Sequence, residues 1–372
     1  MRKLVLLFFC LFTVILSAQE IDSTSVAYKK LLAMKSSRPV FGISYEIGAA
    51  NNKVSYQDIT NFRTKDFLSN DYKEEILDKV GNNLIFGYWQ SINMTWDKPD
   101  YWVLGKYIGG RTFSIENNFI TSAKASEDAI GLGLFGSKRD SDQVADISNS
   151  SYESWWYTSL NFEKRFKKDS SYYSANLNFV IGHDYQKYQI NKGEIYTEPN
   201  GQYIDAELDY SFSTTANENT LAFRGLGIST GFSFKRVFGS KFKINAEIDE
   251  FGLMYWTNTE VVEVDSSFRF QGLRFDNIFE INDSVSQIER DKLSNGLFKE
   301  QDSRFFRLMP FQLSLKLDYQ ITSTYLKQVY LSGDYRYISS YTPRFGIGTR
   351  WNFREKDRLE IGFRYGGFNT IA

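Results

Sequence analysis

Apolar and polar side chains alternate with a period of two through much of the second half of the chain, the spacing that puts successive side chains on opposite faces of a strand. From Arg224 to Lys235 one face carries Leu226, Ile228, Thr230, Phe232 and Phe234, and the other carries Gly227, Ser229, Gly231, Ser233 and Lys235. The turn Phe238-Gly239-Ser240-Lys241 leads into Phe242, Ile244, Ala246 and Ile248 opposite Lys243, Asn245, Glu247 and Asp249. The pattern returns at Phe311 to Tyr319, at Phe345 to Arg354, and at Leu359 to Tyr365 across the turn Glu355-Lys356-Asp357. Each segment therefore predicts a strand with one oily face.

A soluble sandwich alternates in the same way. The segments here exceed the usual strand of ~5–6 residues and approach the ~9–11 that a tilted strand needs to cross a bilayer. Aromatic residues gather near turns, as at Phe166, Phe238, Tyr319 and Phe353, like the girdles of membrane barrels. The expected fold is all-β, an antiparallel transmembrane β-barrel of about 14 strands with short helices in its outer loops. Strands are predicted near 40–48, 83–96, 101–121, 154–166, 172–182, 186–196, 203–213, 224–237, 241–251, 307–319, 327–337, 343–354 and 358–367. With the first strand rising from the periplasm, the short turns at 97–100, 167–170, 239–240 and 355–357 fall on the periplasmic side. The insertions 49–82, 122–153 and 252–306 fall outside. These thirteen strands are odd in number, whereas bacterial single-chain barrels use even numbers. Either a closing strand lies beyond this chain, or one assignment is wrong.

Composition strengthens that reading. The 372 residues include 32 Phe, 24 Tyr and 7 Trp against 5 Pro and 1 His, a balance that suits long ladders because proline cannot donate to them. Met1-Arg2-Lys3, the apolar run Leu4 to Leu16 and Ser17-Ala18-Gln19 have the layout of a secretory signal peptide. The expected organisation is a signal peptide over 1–18, a periplasmic N-terminal segment over 19–39 and an outer-membrane barrel over 40–372. Cys10, the only cysteine, lies inside the signal, so the mature chain is expected to hold neither disulfides nor thiolate metal sites. Removing Arg2 and Lys3 takes the net charge from −1 to −3, which gives no support for nucleic-acid binding.

The insertions predict local helices rather than new domains. Ser69 can cap a turn with Asp71, Glu74 and Glu75 early, Lys79 late and Gly81 at its end, while Tyr72, Ile76 and Val80 share a face. Asp283 to Lys299 reads similarly. Gly131-Leu132-Gly133-Leu134-Phe135-Gly136 has the spacing of a dinucleotide-binding loop, but it leads into a polar loop and not into the strand-to-helix turn that the chemistry needs. Asp140, Asp142 and Asp146 suggest a calcium loop, yet Ala145 and Ser151 stand where glycine and a bidentate glutamate belong. His183, the only possible base for a serine nucleophile, continues the oily face of Leu177, Phe179 and Ile181. No catalytic, cofactor or metal residue is therefore assigned, and no enzyme activity is expected.

The polar face carries charges of both signs. Lys243, Glu247, Lys316, Asp334, Arg336, Arg350, Arg354 and Arg364 are the candidate lumen lining, with Asp205, Glu207, Asp209, Asp249, Asp318 and Glu360 on the same face. Pairing across neighbouring strands would rigidify the interior. Alternatively, Arg350, Arg354 and Arg364 would attract anions as a selectivity lining.

The succession Ile76 to Asn93, Tyr152 to Gly182, Gly225 to Trp256 and Tyr330 to Asn369 resembles uncharacterised Bacteroidota-type outer-membrane barrels carrying a domain of unknown function. That family is similar to the fatty-acid-transporter (FadL-like) and PorV-like barrels. The resemblance implies fourteen strands, a loop excursion at Ala129 to Lys138, and a hatch that would fall within Gln19 to Pro39, a stretch much shorter than the transporters' own. The expected location is the outer membrane, with membrane lipid as the surrounding partner. The expected function is passage of hydrophobic or small solutes, with a hydrophobic ligand as partner. The alternative is a non-catalytic scaffold that meets secretion-system or surface-attachment proteins. An outer-membrane lipid enzyme would depend on His183 alone.

Overall fold

The computed structural model describes residues 39–64, 68–103, 106–136, 142–168, 170–215, 223–239, 241–270, 301–321, 323, 326–352 and 358–368. The signal peptide, the N-terminal segment, Cys10, the helix expected over 283–299 and Arg354 lie outside them. The described chain is all-β, with an antiparallel sheet curled as a half-barrel. Its strands are β1 (Val40–Asn51), β2 (Asn83–Lys98), β3 (Tyr101–Val103), β4 (Lys106–Ile108), β5 (Arg111–Ser126), β6 (Val144–Asp146), β7 (Ser151–Lys168) and β8 (Ser171–Thr197). They continue as β9 (Ile204–Thr215), β10 (Gly225–Phe238), β11 (Phe242–Phe270), β12 (Gln301–Leu308), β13 (Gln312–Gln320), β14 (Leu326–Arg336), β15 (Thr342–Asn352) and β16 (Arg358–Gly367).

Fourteen strands belong to the sheet, and its main path is β1-β2-β5-β7-β8-β10-β11-β13-β14-β15-β16. The expected thirteen spanning strands are thereby corrected to eleven side-by-side positions. The segments 172–182 and 186–196 are one strand, β8, because the break in alternation near His183 is a bulge against Trp156 and Tyr157 and not a reversal. The 27-residue β8 and the 29-residue β11 rise past their neighbours. Their near halves pair with β10, and their far halves pair with β9. Likewise β12 and β13 share β11 end to end, dividing the single strand expected over 307–319. The strand expected over 101–121 begins only at Arg111, since β3 and β4 form a separate small hairpin. β11 continues to Phe270, so the insertion expected from 252 starts later.

Two expected reversals disappear together, because β8 continues through His183 and β9 and β10 run in the same direction end to end. Segments 186–196 and 203–213 thus run opposite to expectation, and the direction expected for every other spanning strand is kept. The ends of paired strands, Lys168 and Ser171, Phe238 and Phe242, Gln320 and Leu326, and Asn352 and Arg358, lie at one end of the sheet, and the connections carrying helices lie at the other. Ten antiparallel steps separate β1 from β16, so these terminal strands run in the same direction and cannot pair with each other antiparallel. Among the described residues, each has a ladder on one side only.

The two faces reverse the polarity of a soluble sandwich. Leu226 is 65%, Ile228 51% and Phe232 46% exposed on β10, whereas Ser229 between them is 3% exposed. Phe345, Ile347, Ile361, Phe363 and Tyr365 are likewise exposed. The convex face is therefore oily and the concave face polar. The concave side also holds an aromatic core in which Trp155 lies 4.7 Å from Tyr185 and 5.8 Å from Trp256, centroid to centroid, with Tyr157, Met254 and Met309 fully buried. Gly182 makes room for it, since a Cβ there would lie 2.5 Å from two atoms of the Trp256 ring.

At the helical end, α1 (Tyr56–Thr64) and α2 (Asn70–Val80) follow β1, and α3 (Glu127–Phe135) follows β5. As its sequence predicts, α2 is capped by Ser69 Oγ accepting from Tyr72 N, ends at Gly81 with φ of 54°, and buries Ile76, Leu77 and Val80. Asp58 of α1 accepts hydrogen bonds from Ser55 Oγ at 2.6 Å, Ser55 N at 2.9 Å and Tyr72 OH at 2.7 Å, with Lys79 Nζ 3.4 Å away. Burial by itself raises the Asp58 carboxyl, but these donors and Lys79 together hold it well below the usual carboxylate range.

Two outcomes follow. Gly182→Val is expected to lower stability by about 1–3 kcal/mol through overpacking against Trp256, read by denaturant unfolding in detergent with tryptophan fluorescence. Because the folded pKa of Asp58 is depressed, its contribution is complete above the unfolded value of about 4 and lost as pH falls below it. Amide protection factors over 55–64 and 68–80, corrected for the intrinsic pH dependence of exchange, are therefore expected to stay flat from pH 7 to about pH 4 and to fall below it, while Asp58→Asn lowers them from pH 7 to about pH 4.

Candidate functional site

The concave face is the candidate site, and strand alternation places the predicted lining on it. On β13, Ser314, Lys316 and Asp318 face inward, and they stand opposite Asp334, Ser332 and Tyr330 of β14. Lys243 Nζ lies 3.6 Å from buried Asp318. Lys316 sits 3.9 Å from the centre of the Tyr330 ring and 3.7 Å from Glu360. Arg350 grips Glu360 through Nε at 3.2 Å and Nη2 at 2.8 Å, and reaches Gln328 at 3.0 Å. Arg336 donates to Gln312 Oε1 at 2.8 Å. Asp334 accepts from Arg344 Nε at 2.9 Å and Tyr341 OH at 2.5 Å. Glu247 stands between Ser233 and Ser314, and Arg364 stands opposite Gly346.

Most of these charges thus meet an opposite charge or an amide on a neighbouring strand, which stiffens the sheet locally. Asp205, Glu207 and Asp209 are not beside them. They lie on β9, at the far tier, where Arg269 forks onto Asp205 at 2.6 and 2.7 Å and Lys192 reaches Glu207 at 2.6 Å.

The residues that sequence reasoning missed bridge the concave space. Tyr157 of β7 donates to Glu250 of β11 at 2.6 Å, and Asn118 of β5 donates to the same carboxylate at 3.4 Å. Strict alternation from Ile244 through Ile248 puts Glu250 on the oily face. A bulge between the pairs Thr230↔Phe251 and Phe232↔Ile248 reverses it, and Glu250 takes a left-handed φ of 57°. One extra residue flips every later side chain. The signal was present, since the oily positions move from even numbers to Phe251, Leu253 and Tyr255.

A second set of bridges reaches across at the helical end. Glu153 of β7 accepts from Ser339 N at 3.0 Å, from Ser339 Oγ and from Trp155 Nε1 at 3.0 Å. Ser122 of β5 donates to Ser339 O. β7 and β14 are five positions apart in the sheet, roughly 24 Å along a flat sheet at ~4.8 Å per strand. Only strong curvature brings them together.

Of the residues in the remaining motifs, Asp140 lies outside the described residues. The glycines 131–136 belong to α3 and its Gly136 cap, so their amides serve a short helix within the excursion expected there. Asp142 accepts from Tyr196 OH and Asp146 from Ser148 N, and among the described residues no His, Cys, Asp and Glu grouping could hold a metal ion. His183 Nε2 shares a 2.8 Å hydrogen bond with Thr158 Oγ1, with its ring 5.1 Å from that of Trp156.

An all-β, antiparallel half-barrel with an oily outside and a charge-paired inside defines the class. Residues 33–369 match the Family of unknown function (DUF5723), and the chain belongs to that family. No curated protein matches it.

Tyr157→Phe is expected to cost about 1–3 kcal/mol, because it leaves a buried carboxylate short of a donor. In a double-mutant cycle with Glu250→Gln the two changes are expected to be non-additive by at least about 0.5 kcal/mol; additive losses would show that the bond contributes nothing.

Proposed function

We propose that this protein is an outer-membrane β-barrel protein that passes hydrophobic or small solutes. The observation that carries the membrane placement is the exposed oily convex face. In water such a surface would be a large aggregation liability, whereas in lipid it is solvated, and the polar side chains lie inside where strands of a membrane barrel keep them. The signal-like N-terminus and the resemblance to Bacteroidota-type barrels of the fatty-acid-transporter and PorV-like kind support the same reading. The short turns would then face the periplasm and the helical end would face outward.

A scaffold is the second reading, and one observation favours it. Tyr157, Glu250, Asn118, Glu153 and Ser339 tie opposite parts of the concave face together and occupy the space a pore would need. Such a barrel would present its helical end to secretion-system or surface-attachment proteins.

The protein is expected to fractionate with outer membranes and to migrate differently on gels before and after boiling. Trp96, exposed on the same face as Phe41 and Ile43, is expected to be quenched by lipids brominated on their acyl chains. Recovery in the soluble periplasmic fraction, with Trp96 unquenched, would refute the membrane placement. Native mass spectrometry from mild detergent then separates the readings: a bound lipid-like molecule supports transport, and stoichiometric protein partners support the scaffold.

A further inference from the structure

We propose that residues 337–341, the connection between β14 and β15, are a latch that closes the concave space at its helical end, with Glu153 as its catch. The proposal rests on the transport reading and adds to it how passage is controlled. The connection does not extend away from the sheet. It turns inward, burying Ile338, and its Ser339 meets β5 and β7 through both its amide and its carbonyl.

The strap is seated on the aromatic core, since Ile338 belongs to the same buried cluster as Trp155 and Trp256, and its polar contacts are those of a catch. Glu153 Oε2 takes two hydrogen bonds from Ser339, while Oε1 is held by Trp155 Nε1, so the carboxylate is aimed from the wall at the strap. Ser122 takes the Ser339 carbonyl, and Ser151 Oγ lies 3.4 Å from Ser340 Oγ. Ser340 is held at φ of 63°, a conformation that costs a non-glycine residue energy and persists where surrounding contacts enforce it. On the strap's other flank, Tyr341 packs edge-on against Phe368 at 5.0 Å and bonds Asp334. Phe368 in turn sits where a side chain on Gly87 of β2 would be. The strap therefore joins β14 and β15 to β2, β5 and β7 through a handful of polar bonds, one aromatic pair and the burial of Ile338. Withdrawing the Glu153 carboxylate would remove two of those bonds and leave the strained turn free to relax.

The test is single-channel recording in planar bilayers, using full-length protein purified from outer membranes. Glu153→Ala is expected to raise open probability at least about tenfold over wild type, since hydrogen bonds to a charged group are the strong ones. Ser151→Cys with Ser340→Cys, in a Cys10→Ser background, is expected to stay shut when oxidised and to regain wild-type openings with reductant. This pair keeps the Glu153 catch and so covers the case in which Glu153→Ala fails to fold. Equal open probability in wild type, Glu153→Ala and both redox states, in protein that inserts and shows the heat shift, would overturn the latch while leaving the membrane placement intact. Failure of every form to insert or to show the heat shift would overturn both.

Discussion

Continuous antiparallel pairing is the constraint on which the rest of this structure depends. Once the eleven positions from β1 to β16 share one hydrogen-bonded path, side chains must alternate between two faces, and each face must be uniform over many strands or pairing would bring oil against charge. The convex face is oily from Phe41 on β1 to Tyr365 on β16. The polar face is consequently shared as well, and charges such as Lys243 with Asp318 and Arg350 with Glu360 find partners on adjacent strands because the register leaves them side by side.

Curvature adds what pairing cannot. A flat sheet would hold Glu153 far from Ser339 and Asn118 far from Glu250, yet both contacts are hydrogen bonds. Small residues permit the bend to close on large ones: Gly182 and Gly225 flank the Trp256 ring, and Gly348 and Gly362 flank Tyr330. The interior is thus made of aromatic rings seated over glycines, with polar ties between strands that are distant along the sheet. Rigidity there and openness for solutes are in tension, and the inward strap at 337–341 is where that tension is concentrated.

Much of this was legible in the residues. Leu313, Leu315, Ile347, Ile361 and Phe363 announced an oily face, and Lys243, Lys316, Asp334, Arg336, Arg350 and Arg364 the opposite one. The cap at Ser69 and the stop at Gly81 were readable because they are local chemistry. Two kinds of feature were not. The break at His183 looks like a turn in sequence, and only the partner strand shows it to be a bulge. Glu250 and Glu153 look like ordinary polar residues near strand ends, because nothing nearby in sequence marks the Tyr157 or Ser339 that they meet.

By itself, then, the sequence determined which segments are extended, their alternation, the polarity of each face and which end bears the helices, since period and capping are properties of neighbouring residues. The tertiary structure alone decided how many positions the sheet has, which strands are shared end to end, and which side chains meet across the concave face. Those outcomes depend on bulges and curvature, which arise from the pairing of segments up to about two hundred residues apart, such as Ser122 with Ser339, and so leave no periodic trace along the chain.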